Sequence, residues 1–272
     1  MALLANFHTH TTFCDGENTA REMTEAALSL SFRHLGFSSH GDTWFDPEYR
    51  LDTAAYLQEC RALSKEYSDR IEILAGIEQD CLADLTESLD ADYRIGSTHY
   101  LLVDGQYYAV DDRLEIVDNL CRLAFGGDYY AYCKAYYRQE AKVYARTKCA
   151  FYGHYDLVTR FNDQAPRFDE EDARYLNPAL ETMEYLAKLG IPFEINTGAM
   201  SRGRKKQPYP SFRLLKALHA FGGEIIISSD AHNRKYLNGC FPEAIQLAIA
   251  AGFTHTNILT KTGFCQLALD SI

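Results

Sequence analysis

The chain lacks any apolar run approaching the ~18 residues a membrane-spanning helix needs, and no leader-like segment precedes Phe7. Its eight cysteines (Cys14, Cys60, Cys81, Cys121, Cys133, Cys149, Cys240, Cys265) include no C-x-x-C pair. That excludes the common thiolate zinc and dithiol redox motifs and leaves buried free thiols in a reducing compartment as the simplest expectation. Positive charge is scarce, with 27 Lys and Arg against 38 Asp and Glu for a net charge of −11. A general nucleic-acid binder would rest on basic patches, so that class is set aside. Neither a G-x-G-x-x-G nor a Walker A sequence supports nucleotide binding. No linker, repeat or sustained charge block interrupts the chain. A cytoplasmic protein with no membrane or nucleic-acid partner is expected; the oligomeric state stays open.

What is present is ample apolar material, 47% of 272 residues, in a recurring pattern of short apolar run and helical stretch. The runs are Leu3–Phe7, Leu35–Ser38, Ile71–Ile77, Tyr93–Ser97, Ala150–Gly153, Pro192–Ile195 and Glu224–Ser228. Helical stretches between them include Ala20–Leu30, Thr53–Tyr67, Leu114–Ala124 and Pro178–Leu189. For the last, Asn177 can cap and Pro178 fit the first position. Leu101–Val110, centred on Asp104-Gly105, reads as a β-hairpin. Strand–helix alternation implies a parallel sheet with helices outside. Seven such strands suggest an α/β barrel one unit short of the eight-stranded form, with an open doubly wound sheet still compatible with the pattern.

In parallel α/β folds, active sites gather at the C-terminal ends of the strands. Read in order, those ends carry His8 and His10 with Asp15 following, His40, Glu78, His99, His154 with Asp156, Asn196, and Asp230 with His232. Residues i and i+2 of a strand share a face, so His8 and His10 point together. A single strand-end histidine usually means nothing more than a solvated polar group. Six of the nine histidines at the same end of different strands mean a metal centre. The remaining His34, His219 and His255 fit ordinary surface or core roles. Glu194, inside its strand, needs a buried partner or points outward.

The segments "FHTHTTFCDGENT", "LGFSSH", "GIEQD", "IGSTHYL", "GHYDLVTRF", "EINTGAMSRG", "YPS" and "SSDAH" resemble, in order and over nearly the whole chain, the polymerase-and-histidinol-phosphatase (PHP) family. The resemblance is to its histidinol-phosphatase branch. It implies one domain over residues 1–272, a distorted seven-stranded (β/α)7 barrel of TIM-like form with outer helices. It also implies up to three divalent ions. The first would be held by His8, His10, Glu78 and Asp230, the second by Glu78, His99 and His154, the third by Asp15, His40 and His232. The family usually opens with an aspartate where this chain has Asn6, and often reads T-D-H where it has Ser38-Ser39-His40. Both departures remove carboxylates expected to lie behind the ligands and leave the ligands intact.

Imidazole and carboxylate without clustered thiolates suit zinc, manganese or iron. Such ions lower the pKa of bound water and offset charge on a phosphoryl group. The implied activity is hydrolysis of a small-molecule phosphate ester, L-histidinol phosphate, to L-histidinol and phosphate in histidine biosynthesis. A hydroxide bridging two metals is the expected nucleophile. Asp230 is expected to shuttle the proton; His232, Asp230 or a bound water would protonate the leaving alkoxide. Arg160 and Arg202, on loops above the ligand ring, are the expected phosphate contacts, because a guanidinium grips phosphate with paired hydrogen bonds. Lys205 and Lys206 read as a solvated basic turn. Alternatives are a PHP-type phosphodiesterase or exonuclease on nucleotide ends, or a non-catalytic metal-binding scaffold. The tyrosine-rich stretch 129–146 reads as a helix packing half-buried rings on the barrel or on a partner chain.

Overall fold

The structure, a computed structural model, describes residues 3–272, so Met1 and Ala2 of the expected domain lie outside the described residues. Strands β1 (Ala5–Asn6), β2 (His34–Phe37), β3 (Glu72–Asp80) and β4 (Tyr93–Ser97) are separated by α1 (Ala20–Ser29), α2 (Thr53–Glu66) and the loop after β3. A hairpin of β5 (Tyr100–Val103) and β6 (Gln106–Ala109) follows, then α3 (Leu114–Phe125), α4 (Tyr129–Glu140) and α5 (Val143–Thr147). The chain continues through β7 (Phe151–Tyr152), α6 (Ala173–Ala187), β8 (Phe193–Asn196), α7 (Gly198–Ser201), α8 (Phe212–Ala220), β9 (Ile225–Ser228) and α9 (Phe241–Ala251). It ends in β10 (His255–Thr260) and β11 (Gly263–Ala268).

The main sheet runs β1-β2-β3-β4-β7-β8-β9-β10-β11, and β5-β6 form a separate ribbon. Every neighbouring pair in the main sheet is parallel except β10 and β11. Nine strands thus stand where the sequence reading expects seven. The surplus is the terminal hairpin β10–β11, whose outer strand is largely exposed and carries none of the continuous apolar signal of the inner strands. A parallel bridge pairs Thr9 with Ala231. There His10 N donates to Ala231 O at 2.9 Å and Ala231 N to His8 O at 3.2 Å. The sheet therefore curls so that the end of its first strand meets the segment beyond β9.

Inner strands are buried on both faces, as parallel strands covered by helices must be. In β8, Phe193 and Ile195 alternate with Glu194 and Asn196, and all four are fully buried. Helix α1 starts with a reciprocal cap: Thr19 Oγ1 accepts from Glu22 N and Glu22 Oε2 accepts from Thr19 N. Helix α6 corrects the sequence reading. It begins at Ala173, five residues before Pro178, with Asp172 as its cap accepting from Arg174 N. Pro178 sits inside it; the buried stripe Tyr175, Ala179, Met183 and Leu186 holds the turn helical despite the lost backbone donor. The tyrosine stretch forms α4 and α5, and Tyr132, Tyr136 and Tyr137 are fully buried rather than half-buried. Tyr137 OH donates to Tyr175 OH at 3.0 Å, tying α4 to α6. Among the described residues no helix is long and apolar enough to cross a membrane.

Candidate metal centre

The curl of the sheet brings two short sequences side by side. His8-Thr9-His10 extends β1, Asp230-Ala231-His232 extends β9, and the Thr9–Ala231 bridge aligns them. The flanking residues of each triplet consequently face one point. His10 and His232 stack with ring centroids 4.0 Å apart. Asp230 adopts φ +49°, a left-handed conformation uncommon outside glycine and tolerated best by Asn and Asp. Gly198 lets the neighbouring turn approach: a Cβ there would lie 2.9 Å from both Arg202 Nη2 and Ser229 O, and 3.0 Å from Asp230 Cβ.

Glu78 stands at the middle, at the end of β3 and almost fully buried. Its Oε1 lies 2.8 Å from His154 Nε2 and 3.0 Å from His99 Nε2, and accepts from Ser97 Oγ at 2.8 Å. Its Oε2 lies 3.2 Å from His8 Nε2, 3.1 Å from His40 Nδ1 and 3.5 Å from His10 Nε2. One carboxylate therefore faces two imidazole sets, one through each oxygen. Asp230 Oδ1 is 3.2 Å from His10 Nε2, 3.4 Å from His232 Nδ1 and 3.7 Å from His8 Nε2. Asp15 closes the far side, 3.0 Å from His232 Nε2, 3.4 Å from His10 Nδ1 and 3.7 Å from His40 Nε2.

All nine expected ligands converge. Four overlapping groups have donor atoms within 4.8 Å of one another: His10, Asp15, His40 and His232; His8, His10 and Asp230; His8, Glu78 and His154; His40, Glu78 and His99. Two donors held about 2.1 Å from one tetrahedral ion lie roughly 3.4 Å apart, the spacing seen here. The His8 and His10 Nε2 atoms are buried without a hydrogen-bond partner, and His99 Nε2 faces His154 Nε2 at 3.3 Å. Buried, unpaired imidazole nitrogens directed at carboxylates fit a divalent cation better than they fit one another. His34, His219 and His255 take no part; they open β2, lie in α8 and open β10.

Electrostatics agree with that fit. Burial alone would raise the Glu78 carboxyl, yet His8, His99 and His40 hold it well below the usual range. Asp230 is likewise depressed against its burial by His8 and Arg202. Burial, reinforced by His232 and His40, pushes His10 down to about 3, leaving a neutral imidazole. His8 is raised despite burial because Glu194, Glu78 and Asp230 surround it.

Above the ligands opens a cavity of ≈ 340 Å³, lined among others by Arg160, Arg202, Arg204, Tyr49, Tyr100 and Asp111. Arg202 Nη1 donates to Asp230 O at 2.8 Å, and Nη2 lies 3.4 Å from Asp230 Oδ2. Arg160 Nη1 is 4.0 Å from Asp111 Oδ2, beyond hydrogen-bond reach. The sequence reading assigned no role to Asp80 or Arg204 and left Glu194 open. Asp80, two positions after Glu78 and on the same face, accepts from His99 N at 2.8 Å; the period-two rule could have found it. Arg204 reaches the cavity wall. Glu194 Oε1 lies 2.7 Å from His8 Nδ1, and its Oε2 accepts from His154 N at 2.8 Å, which answers the question of its buried partner. Lys205 contradicts the solvated-turn reading: its buried Nζ donates to Thr159 O, Thr159 Oγ1 and Asp163 Oδ1 at 3.2, 3.1 and 3.0 Å. Asn6 lies behind the ligands, with Oδ1 accepting from His8 N and Ser229 N at 3.2 Å.

Known proteins share this architecture. A histidinol-phosphatase of Bacillus subtilis is 27% identical over 254 residues, 83% of this chain and 92% of that protein. One from Lactococcus lactis is 24% identical over 245 residues, 85% of this chain and 84% of its own length. The crystal structure of histidinol phosphate phosphatase from Lactococcus lactis, complexed with zinc, L-histidinol and phosphate, superposes with TM-score 0.75 at 22% identity, covering 96% of this chain and 98% of that one. The PHP domain model matches residues 6–198, a span that starts at Asn6, takes in seven of the nine converging side chains and ends at the Gly198 turn. By that match the chain belongs to the PHP domain family.

Proposed function

We propose that the chain is a metal-dependent phosphomonoesterase that hydrolyses L-histidinol phosphate to L-histidinol and phosphate, and that its nine converging side chains hold three divalent ions, zinc, manganese or iron. The observation that carries this reading is the joint arrangement of six imidazoles and three carboxylates beneath a cavity walled by guanidinium groups. The names of the relatives supply the substrate. Bound there, divalent ions supply Lewis-acid charge and lower the pKa of bound water.

The protein's own groups account for the rest. Arg160, without a hydrogen-bonded acid partner at 4.0 Å from Asp111, is free to grip nonbridging phosphoryl oxygens with two N–H groups. Arg202 divides its donors between Asp230 and the cavity, so it orients Asp230 while presenting charge to phosphate. Asp230 Oδ1 takes the proton of the attacking water, and His232, 3.4 Å away, returns a proton to the departing alkoxide oxygen. Phosphoryl transfer needs this positioning and charge more than covalent help.

The seven-strand barrel fits this reading if β1–β4 and β7–β9 form the ring closed at Thr9–Ala231 and β10–β11 lie outside it. Eight free cysteines suit a reducing compartment such as the cytoplasm. The test is turnover by metal-reconstituted protein. Rapid phosphate release from L-histidinol phosphate with none from dinucleotides is expected. The reverse preference would replace the reading with a phosphodiesterase, and full metal loading without hydrolysis of any ester would replace it with a scaffold.

A further inference from the structure

We propose that Glu194 is a positioning residue of the centre: its carboxylate fixes the His8 ring so that Nε2 presents a lone pair to the cluster, and anchors the backbone of His154 in the same act. This rests on the reading of the cluster as a metal site.

The placement follows from strand geometry. In β8 the even positions Glu194 and Asn196 share a face opposite Phe193 and Ile195, and Glu194 is completely buried. Three polar groups converge on its two oxygens. His8 Nδ1 meets Oε1 at 2.7 Å, while His154 N and Asn196 Nδ2 donate to Oε2 at 2.8 and 3.0 Å. As an ionised carboxylate, Glu194 is acceptor-only and serves all three. His8 must then carry its hydrogen on Nδ1.

His8 Nε2 points at Glu78 Oε2, 3.2 Å away, and at Asp230 Oδ1, 3.7 Å away, and has no hydrogen-bond partner. A lone pair facing carboxylate oxygens is repulsive until a cation lies among them. With Nδ1 held by Glu194, His8 meets the cluster only through Nε2, where a cation bound among those oxygens takes the place of a proton. Because its second oxygen holds His154 N, one side chain sets the relative position of ligands from the ends of β1 and β7. Carboxylates behind metal-bound histidines act in this way, and losing one costs about 10- to 100-fold in metal affinity.

The experiment compares wild type, Glu194→Gln and Glu194→Asp by competing zinc away with a chelator, and reads His8 directly by 15N NMR of the zinc-loaded wild type. The amide keeps the size but lacks one acceptor; the aspartate keeps the charge but falls short of both partners. Both variants are expected to bind zinc about 10- to 100-fold more weakly, with circular dichroism unchanged. The wild-type spectrum is expected to show His8 protonated at Nδ1 and bare at Nε2. Unchanged zinc affinity in both variants, or a His8 protonated at Nε2, overturns the proposal. If a variant does not fold, the wild-type spectrum decides. A wild type that takes up no divalent ion overturns the metal centre itself, a result distinct from equal affinities.

Discussion

Glu78 meets five imidazoles through two oxygens, and no single histidine around it is as exposed to chemistry as the group they make together. The ligands at its Oε1, His99 and His154, come from the loop after β4 and from the end of β7, so neither can substitute for the other. Replacing either by Ala should lower the metal content measured by elemental analysis and cut turnover by at least about 100-fold, more than is typical for an outer partner. Undiminished turnover would remove that residue from the ligand set. In the proposed reading Arg160 acts on substrate rather than on the metal-holding side chains. Arg160→Ala should raise KM about 10- to 100-fold, the range for a lost charge-assisted hydrogen bond. Arg160→Lys should restore little of it, since a point charge does not reproduce the paired N–H geometry. The converging side chains were readable in the sequence because all but Asp15, which lies in the turn after β1, lie near or just beyond the end of a strand, where a polar residue stops an apolar run. Glu194 was not, because both faces of β8 are buried and a strand read alone does not say which face looks toward the ligands.

At the scale of elements, strands and helices with strong periodic or apolar signals appear within a few residues of their expected positions. Leu114–Ala124 became α3, and Tyr93–Ser97 became β4 without change. The start of α6 was hidden because Asn177-Pro178 imitates a helix N-terminus, whereas the cap that forms belongs to Asp172 and the packing of Tyr175 and Leu176 carries the helix past it. The last residue of α4 makes a separate test. Glu140 is buried, and burial pushes its carboxyl up to about 8. Between about pH 4.5 and 8 the folded chain keeps this proton while the unfolded chain has lost it, so unfolding releases a proton and rising pH removes stability by up to about 1.4 kcal/mol per pH unit. Above 8 the contribution is flat. Glu140→Gln should flatten the dependence of Tm on pH, and its Tm advantage over wild type should grow from pH 5 to pH 8; parallel curves would mean that Glu140 is ionised in the folded protein. At the turn after β8, Gly198→Ala should cost roughly 1–3 kcal/mol through crowding and displace Arg202, so that KM rises along with the fall in Tm.

For the whole molecule, an excess of acid over base does not forbid an anionic substrate, because the negative side chains at the centre are outweighed once cations are bound. The same cations should stabilise the fold. Removing them with a chelator should lower Tm, and saturating them again at about 1,000 times the dissociation constant should return about 4 kcal/mol. A Tm indifferent to metal would mean that the ligand groups are held by protein contacts alone. Composition made the excess of acid over base plain, and the order of motifs made the family resemblance plain. Neither revealed the hairpin β10–β11: β10 buries Thr256 and Asn257 beside Ile258 and Leu259, which breaks its apolar run, and β11 is largely exposed.

The pairing of Thr9 with Ala231 puts a seam in the sheet, and the side chains on either side of that seam are the ones that bind together. Asn6 and Ser229, which hydrogen-bond beside it, are 223 positions apart. Bringing such distant segments together in a flexible chain costs close to 5 kcal/mol in configurational freedom. An ion gripped from both sides, as proposed, would work there as a reversible rivet, so the two ends of the protein should part first when it is withdrawn. Amide exchange at His10 and Ala231 should accelerate on chelation well before the strands β3 and β4 loosen.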